Sequence, residues 1–371
     1  MSDLKPHKIS DKILESYGIE ALTAEKVMDY YNYSYPFFLK FKVLFFKRFR
    51  DYGLVPYSIS LFFFLIIALV LPVVDCLFLC LCKFFNPRRR RIEPRKTFLL
   101  FPTSSHGGHI IKLVCARLFP DHLELDLKSR LIQSKLLSWG EIGLILPKWA
   151  LFLLRNRSLT IWLYAYDFAR LFSYTAIVRR NPEVPVFSDD HFQRWAILFA
   201  SFSKNFHMCQ HGKISSVFAV GGNFGNISNF HYRDEAAVGI MQTYFGIDNC
   251  LPQAVAPRFT EVPEAVHKGR KIVFLASSLP HYDKELRALR ELKSYSDKIC
   301  VIHKRHPSHI YSIFQKFTLK KYSEFEVAAP VYPSCDFLIC APGSITELYE
   351  NTETKVVLLE TDRIDLDGLA L

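Results

Sequence analysis

The sequence predicts an α/β protein of two doubly wound domains, preceded by a helical N-terminal region that carries a long apolar segment. Three observations predict it. Past Lys96, short apolar runs are each followed by a turn and a helical pattern. An apolar segment fills residues 57–82. Between Gly246 and Gly269 periodicity fades while Pro252, Pro257 and Pro263 accumulate, which is the composition of an interdomain linker.

At 371 residues the chain can build two domains of ordinary size, each burying its own core without disulfides. Residues 1–36 are polar and read as helical, with Asp11 and Thr23 as N-cap residues, so no secretory signal opens the chain. Nine cysteines form no CxxC pair and no zinc spacing, which fits a reducing compartment.

The formal charge of +11 is concentrated. Between Phe38 and Lys96 stand twelve Lys and Arg against Asp51, Asp75 and Glu93, leaving only +2 for the rest of the chain. Nucleic acid is therefore not an expected partner. Anionic lipid head groups are, at about 1 kcal/mol per basic residue near the surface. Between Ile59 and Leu81 lie seventeen Leu, Ile, Val and Phe residues, interrupted by Pro72 and Asp75. At roughly −0.3 to −0.6 kcal/mol each they outweigh an Asp costing about 3 kcal/mol, so the segment is expected to enter a membrane. Basic residues flank it on both sides, Lys40 to Arg50 and Lys83 to Lys96. That pattern leaves two topologies open: one span, or a re-entrant hairpin bent at Pro72. Both put the body after Lys96 on the cytoplasmic face of the cytoplasmic membrane.

In that body Thr97–Phe101, Pro185–Ser188, Phe206–Cys209, Lys271–Ala276, Lys298–His303, Asp336–Cys340 and Lys355–Leu359 read as strands. Ile110–Leu118, His191–Phe202, Asp283–Leu292 and Ser344–Glu350 read as helices. The expected organisation is a basic helical region at 1–56, the apolar segment at 57–82, a first domain at 97–250 and a second at 270–371. Alternation of this kind gives mostly parallel sheets with helices on both faces, and ligands at the carboxyl ends of the strands.

Four motifs fall at such ends. Thr103, Ser104, Ser105, His106, Gly107, Gly108 and His109 join a strand to a helix, where backbone N–H groups can approach a phosphate or simply turn tightly. Gln210, His211 and Gly212 close an apolar strand, which places an imidazole where a general base is useful. Gly221–Gly225 reads as a loop. Lys304, Arg305, His306 and Pro307 set two cations and an imidazole at another strand end, suited to an anionic leaving group. His303, His306 and His309 have a spacing that invites a metal, but Pro307 forbids one helix through them and no metal site is expected. Gly343, Ser344 and Glu347 again form strand, turn and helix, as a phosphate site or as a capping box.

The order of these motifs resembles the glycosyltransferases of the GT-B fold, built from two Rossmann-like domains. It is most similar to membrane-associated makers of surface polymers: the CDP-glycerol glycerophosphotransferases and the bacterial polysialyl and Kdo transferases. The resemblance covers roughly residues 97–359. It implies a base or acceptor contact at His211 and a donor phosphate site at His306, Pro307 and Ser344, where the paired serines of those families stand as Gly343 and Ser344. The loop from Ser104 to His109 looks like the acceptor-facing Gly-Gly-His loop of the lipid-linked N-acetylglucosaminyl transferase of cell wall synthesis. The activity so implied is transfer from a nucleotide-activated donor, CMP- or CDP-linked, to a surface-polysaccharide or lipid-linked acceptor. No resident cofactor is expected. Catalysis falls to His211 and His306. Lys304, Arg305, Pro307, Gly343, Ser344 and Glu347 would hold the donor, and Ser105, His106, Gly107, Gly108, His109, Gln210 and Gly212 the acceptor. The alternative is a non-catalytic binding component of a polysaccharide assembly complex. A flavin or nicotinamide oxidoreductase lacks its phosphate fingerprint here.

Overall fold

The computed structural model describes residues 57–87, 92–103, 105–156, 162, 165–189, 194–212, 214, 216, 227–253, 259–277, 282–304, 313–327, 332–341, 344–349 and 352–359. The expected N-terminal helices and the Gly221–Gly225 loop lie outside them. The chain divides into two compact units between Val255 and Ala256.

The first unit is a six-stranded sheet of β1 (Thr97–Phe101), β2 (Leu123–Asp126), β3 (Val186–Ser188), β4 (Phe206–Cys209), β5 (Ile227–Tyr232) and β6 (Cys250–Pro252). Their order is β2-β1-β3-β4-β5-β6, and every pairing is parallel. The order reverses once, between β1 and β3. Successive residues of a strand point to opposite faces, so each strand supplies two cores. Leu99, Phe101, Val186 and Met208 belong to one core, Phe98, Leu100, Phe187 and Cys209 to the other. Against the second core packs α2 (Ser105–Leu118) through Ile110, Ile111, Val114 and Cys115. Against the first pack α3 (Arg130–Leu136), α4 (Trp139–Arg155), α5 (Ala165–Arg180), α6 (Arg194–Phe202) and α7 (Glu235–Phe245). Burial on both faces is what makes β1 a continuous apolar run after Thr97 rather than an alternating one.

Several of these elements were not expected. Within α4, Gly140, Gly143 and Pro147 interrupt the helical pattern. A capping box between Ser138 and Glu141 starts the helix all the same, and five buried side chains from Ile142 to Leu153 hold it. Part of the expected linker, Cys250–Pro252, instead extends the first sheet as β6.

The apolar segment is one helix, α1 (Tyr57–Phe85), with Pro72 inside it rather than at a break. The hairpin bent at Pro72 is therefore not the form it takes. It is long and apolar enough to cross a membrane, but it packs lengthwise on α3, α4 and α5. Ala68, Pro72, Cys76, Leu79 and Lys83 are buried, at spacings of three and four that define one helical face. Asp75 is clasped by the Arg130 guanidinium, whose Nε lies 2.6 Å from Oδ1 while its terminal nitrogen meets Oδ2. Arg130 also donates to Gln133 Oε1 at 2.5 Å.

The second unit is a five-stranded parallel sheet of β8 (Lys271–Ala276), β9 (Ile299–Lys304), β10 (Phe325–Val327), β12 (Phe337–Cys340) and β13 (Lys355–Leu358), in the order β10-β9-β8-β12-β13. A short pair, β7 (Phe259–Thr260) with β11 (Tyr332–Pro333), stands beside it. Counted within this sheet, the strand order is 3-2-1-4-5, the Rossmann order, with its switch between β8 and β12. Val273, Leu275, Val301 and Ile339 face a core with α9 (Tyr282–Leu292) and α10 (Ile313–Tyr322). Phe274, Cys300, Ile302 and Leu338 face another with Tyr349 of α11 (Ser344–Tyr349). A single turn, α8 (Glu264–His267), precedes β8.

Candidate functional site

At the switch point of the first sheet the chain leaves β1 through Pro102 and Thr103, and leaves β3 directly into Asp189. This Asp is fully buried. Thr103 Oγ1 donates to Asp189 Oδ2 at 2.9 Å, and the Thr103 main-chain N–H donates to Oδ1. The carboxylate lies over the first turn of α2, where a Cβ on Gly107 would overlap it. Gly107 is thus explained by an internal carboxylate, seated where the sequence suggested a ligand phosphate. Gly108 is less constrained, because a Cβ there would meet the Pro102 Cβ at 3.0 Å. His109 is exposed one residue further along α2. The side chains of Ser104, Ser105 and His106 lie outside the described residues.

Asp189 also fixes His211. The His211 Nδ1 meets the Asp189 main-chain carbonyl and lies 3.9 Å from Asp189 Oδ2. A carbonyl only accepts, so Nδ1 carries the proton and Nε2 the lone pair, the tautomer a general base needs. With its side chain 25% exposed, the ring reaches solvent while its carboxylate neighbour does not.

Gln210, expected to contact an acceptor, is instead buried and committed to the fold. Its Nε2 donates to the Gly212 carbonyl at 3.0 Å and to Asp234, and its Oε1 accepts from the Arg233 N–H at 2.7 Å. Gln253 Nε2 in turn donates to the Gln210 carbonyl at 2.6 Å and the His231 carbonyl at 2.8 Å. These bonds hold the turn that carries His211 and Gly212.

Behind the turn, His207 and His231 form a buried pair with His207 Nδ1 3.1 Å from His231 Nε2. His207 Nε2 lies 2.8 Å from Asn205 Oδ1, so it donates there and its Nδ1 accepts from His231. Both rings are neutral. Burial is the main cause, lowering His207 to about 3 and His231 to about 4, and the neighbouring His231 depresses His207 further.

In the second unit, β9 runs one residue further than the sequence suggested and ends at Lys304, whose carbonyl accepts from the Ser277 N–H at 2.8 Å. Lys304 is buried, its Nζ sits 4.1 Å from the centroid of the Tyr332 ring, and burial lowers its ammonium to about 8. Beside it, Ser277 Oγ donates to Glu285 Oε2 at 2.7 Å and lies 2.8 Å from His303 Nε2. The single hydroxyl proton goes to the carboxylate, so His303 donates to the hydroxyl oxygen.

The strand ends Lys304 and Cys340 lie on the carboxyl edge of this sheet, on either side of β8. Ser344 opens α11 beyond the second of them. Arg305, His306, Pro307 and Gly343 lie outside the described residues, as do the side chains of Ser344 and Glu347. Among the described residues, no group of three or more His, Cys, Asp or Glu could hold a metal ion. An open concavity of about 570 Å³, lined by Lys271, Asp336 and Lys355 among others, lies at the opposite edge, where those strands begin. There Asp336 accepts from the Ile272 N–H at 2.6 Å, a bond within the sheet.

Asp189 is the residue that the sequence reading missed. The available signal was an acidic residue directly after the short strand Val186–Ser188, at the carboxyl end where sites form.

No protein-family model and no curated protein matches the chain. Among solved structures, it is similar to one described as an S. aureus MnaA–UDP co-structure, at 11% identity and a TM-score of 0.32. That likeness covers 74% of this chain and 82% of the other.

Proposed function

We propose that this chain is a metal-independent, membrane-associated glycosyltransferase or glycerophosphotransferase working at the cytoplasmic face. Its donor is nucleotide-activated, CMP- or CDP-linked, and its acceptor a surface-polysaccharide or lipid-linked glycan. The observation that supports this most is His211: partly exposed, beyond the carboxyl end of β4, with its tautomer fixed by Asp189 at the neighbouring switch point.

In the reaction, Nε2 of His211 takes the acceptor hydroxyl proton as that oxygen bonds to the donor carbon or phosphorus. The bond from that atom to the nucleotide phosphate breaks, and its electron pair leaves with the nucleotide. The imidazolium then stands near the buried Asp189 carboxylate. Lys304, Arg305, His306 and Ser344 meet the charge on the departing phosphate.

Thermal-shift screening against CMP-, CDP-, UDP- and GDP-linked donors tests the donor class. The largest stabilisation is expected with a cytidine donor, and no shift with any of the four ends the proposal. Donor binding with no transfer to any acceptor would make the chain a binding component instead.

A further inference from the structure

The charges of α1 point the wrong way for a helix crossing a bilayer alone. Every described residue of α1 that is exposed is Val, Leu, Ile or Phe, whereas Asp75 and Lys83 both lie on the face turned to the protein. Val70, Val74, Leu77, Phe78 and Leu81 are 50–59% exposed. On the neighbouring α4, Leu144, Leu151 and Leu154 are exposed as well. Soluble proteins rarely leave a continuous apolar patch of more than a few hundred Å² in water.

We infer that α1 lies in the plane of one leaflet. Its outer face sits among acyl chains, and its inner face is locked to the first unit through Asp75, Arg130 and the buried stripe from Ala68 to Lys83.

Two observations favour this over a span. From Ala68 to Lys83 the helix is packed against α3, α4 and α5, so a crossing would drag Arg130, which Asp75 holds, into hydrocarbon at about 3 kcal/mol on insertion scales. The basic flanks on both sides of the segment are anomalous for a span, whose ends face opposite compartments. An in-plane helix has both ends at one surface, where both flanks meet anionic head groups. No bend at Pro72 is needed.

This inference rests on the membrane association proposed above and is separable from the transfer chemistry, which is assayed in detergent on a water-soluble acceptor. The full chain, tagged at either end, is treated with protease in sealed membrane vesicles of defined orientation. Both tags should be cut from the cytoplasmic side only. A tag reached only from the opposite side overturns the inference.

Val70→Glu and Leu77→Glu should each lower affinity for phosphatidylcholine–phosphatidylglycerol vesicles at least tenfold, with melting in detergent unchanged. Asp75→Asn should do the reverse, melting earlier but still sedimenting with vesicles. Unchanged vesicle binding by both outer-face variants would also overturn it. So would a detergent-stable dimer that those variants dissociate, since the surface would then belong to a second copy of the chain.

Discussion

The carboxyl edges of the two sheets share an architecture and differ in the charge they bury. In the first unit the group sealed beneath the switch point is a carboxylate, Asp189, with an imidazole beside it. In the second an ammonium, Lys304, is buried at the end of β9 over an aromatic face, next to a carboxylate, Glu285, that is buried against Ser277. In the proposed reaction an imidazole held by a buried carboxylate residue suits removal of a proton from a neutral acceptor. A buried positive charge at a strand end suits an incoming or departing anion. One layout can therefore carry the two electrostatic tasks proposed for it, and the difference lies in single residues at strand ends rather than in the strands.

The largest expected effect breaks the first half of this contrast. His211→Gln should cut transfer by about 10²- to 10⁴-fold while donor-induced thermal shifts stay at the wild-type level. Transfer at the wild-type rate would remove the base.

Next comes the carboxylate itself. Gly107→Ala forces a methyl group into Asp189 and should destabilise the protein by about 3 kcal/mol or more, beyond ordinary overpacking. Combining it with Asp189→Gly should recover much of the lost melting temperature, though not activity. Gly108→Ala should cost far less.

On the other sheet, Lys304→Met should weaken donor binding by about ten- to a hundredfold, read by calorimetry, without lowering thermal stability. Wild-type donor affinity should fall as pH rises through about 8, the value to which burial brings this ammonium. Lys304→Arg should carry that fall to much higher pH.

The last effect is confined to acid pH and concerns His207 and His231. Their folded pKa values lie below the unfolded value near 6.5, so the unfolded chain binds more protons between those limits. Stability from the pair is complete above pH 6.5 and is lost as pH falls towards 4 and then 3. At pH 5 the expected loss is about 2 kcal/mol for each ring, and His231→Gln should flatten the acid limb of a melting-temperature profile.

The strands legible in the sequence were those buried on both faces. Thr97–Phe101 and Lys271–Ala276 are read correctly because double burial demands continuous apolar runs. The missed strands have polar residues that only tertiary partners explain. In β5, Ser228, Asn229 and His231 look like a loop until His207 and the Phe206 N–H are seen to bond them.

The site followed the same logic. His211 stood out because a glycine follows it at a strand end. Asp189 has no motif, since its meaning comes from Thr103 and Gly107, 86 and 82 positions away. Gln210 was misjudged for the complementary reason: beside a candidate base it resembles a ligand contact, and only the Arg233 and Gln253 bonds reveal its structural work.

The seating of α1 changes how this protein can be handled. Trimming off an apolar segment to obtain a freely soluble version assumes that the segment is an appendage. Here Cys76 and Leu79 contribute to the same core as the sheet residues Leu99 and Phe101, and among the described residues Asp75 is the carboxylate that Arg130 meets. A version begun at Lys96 would lose one wall of its interior and strand a guanidinium against it, so purification has to keep the segment.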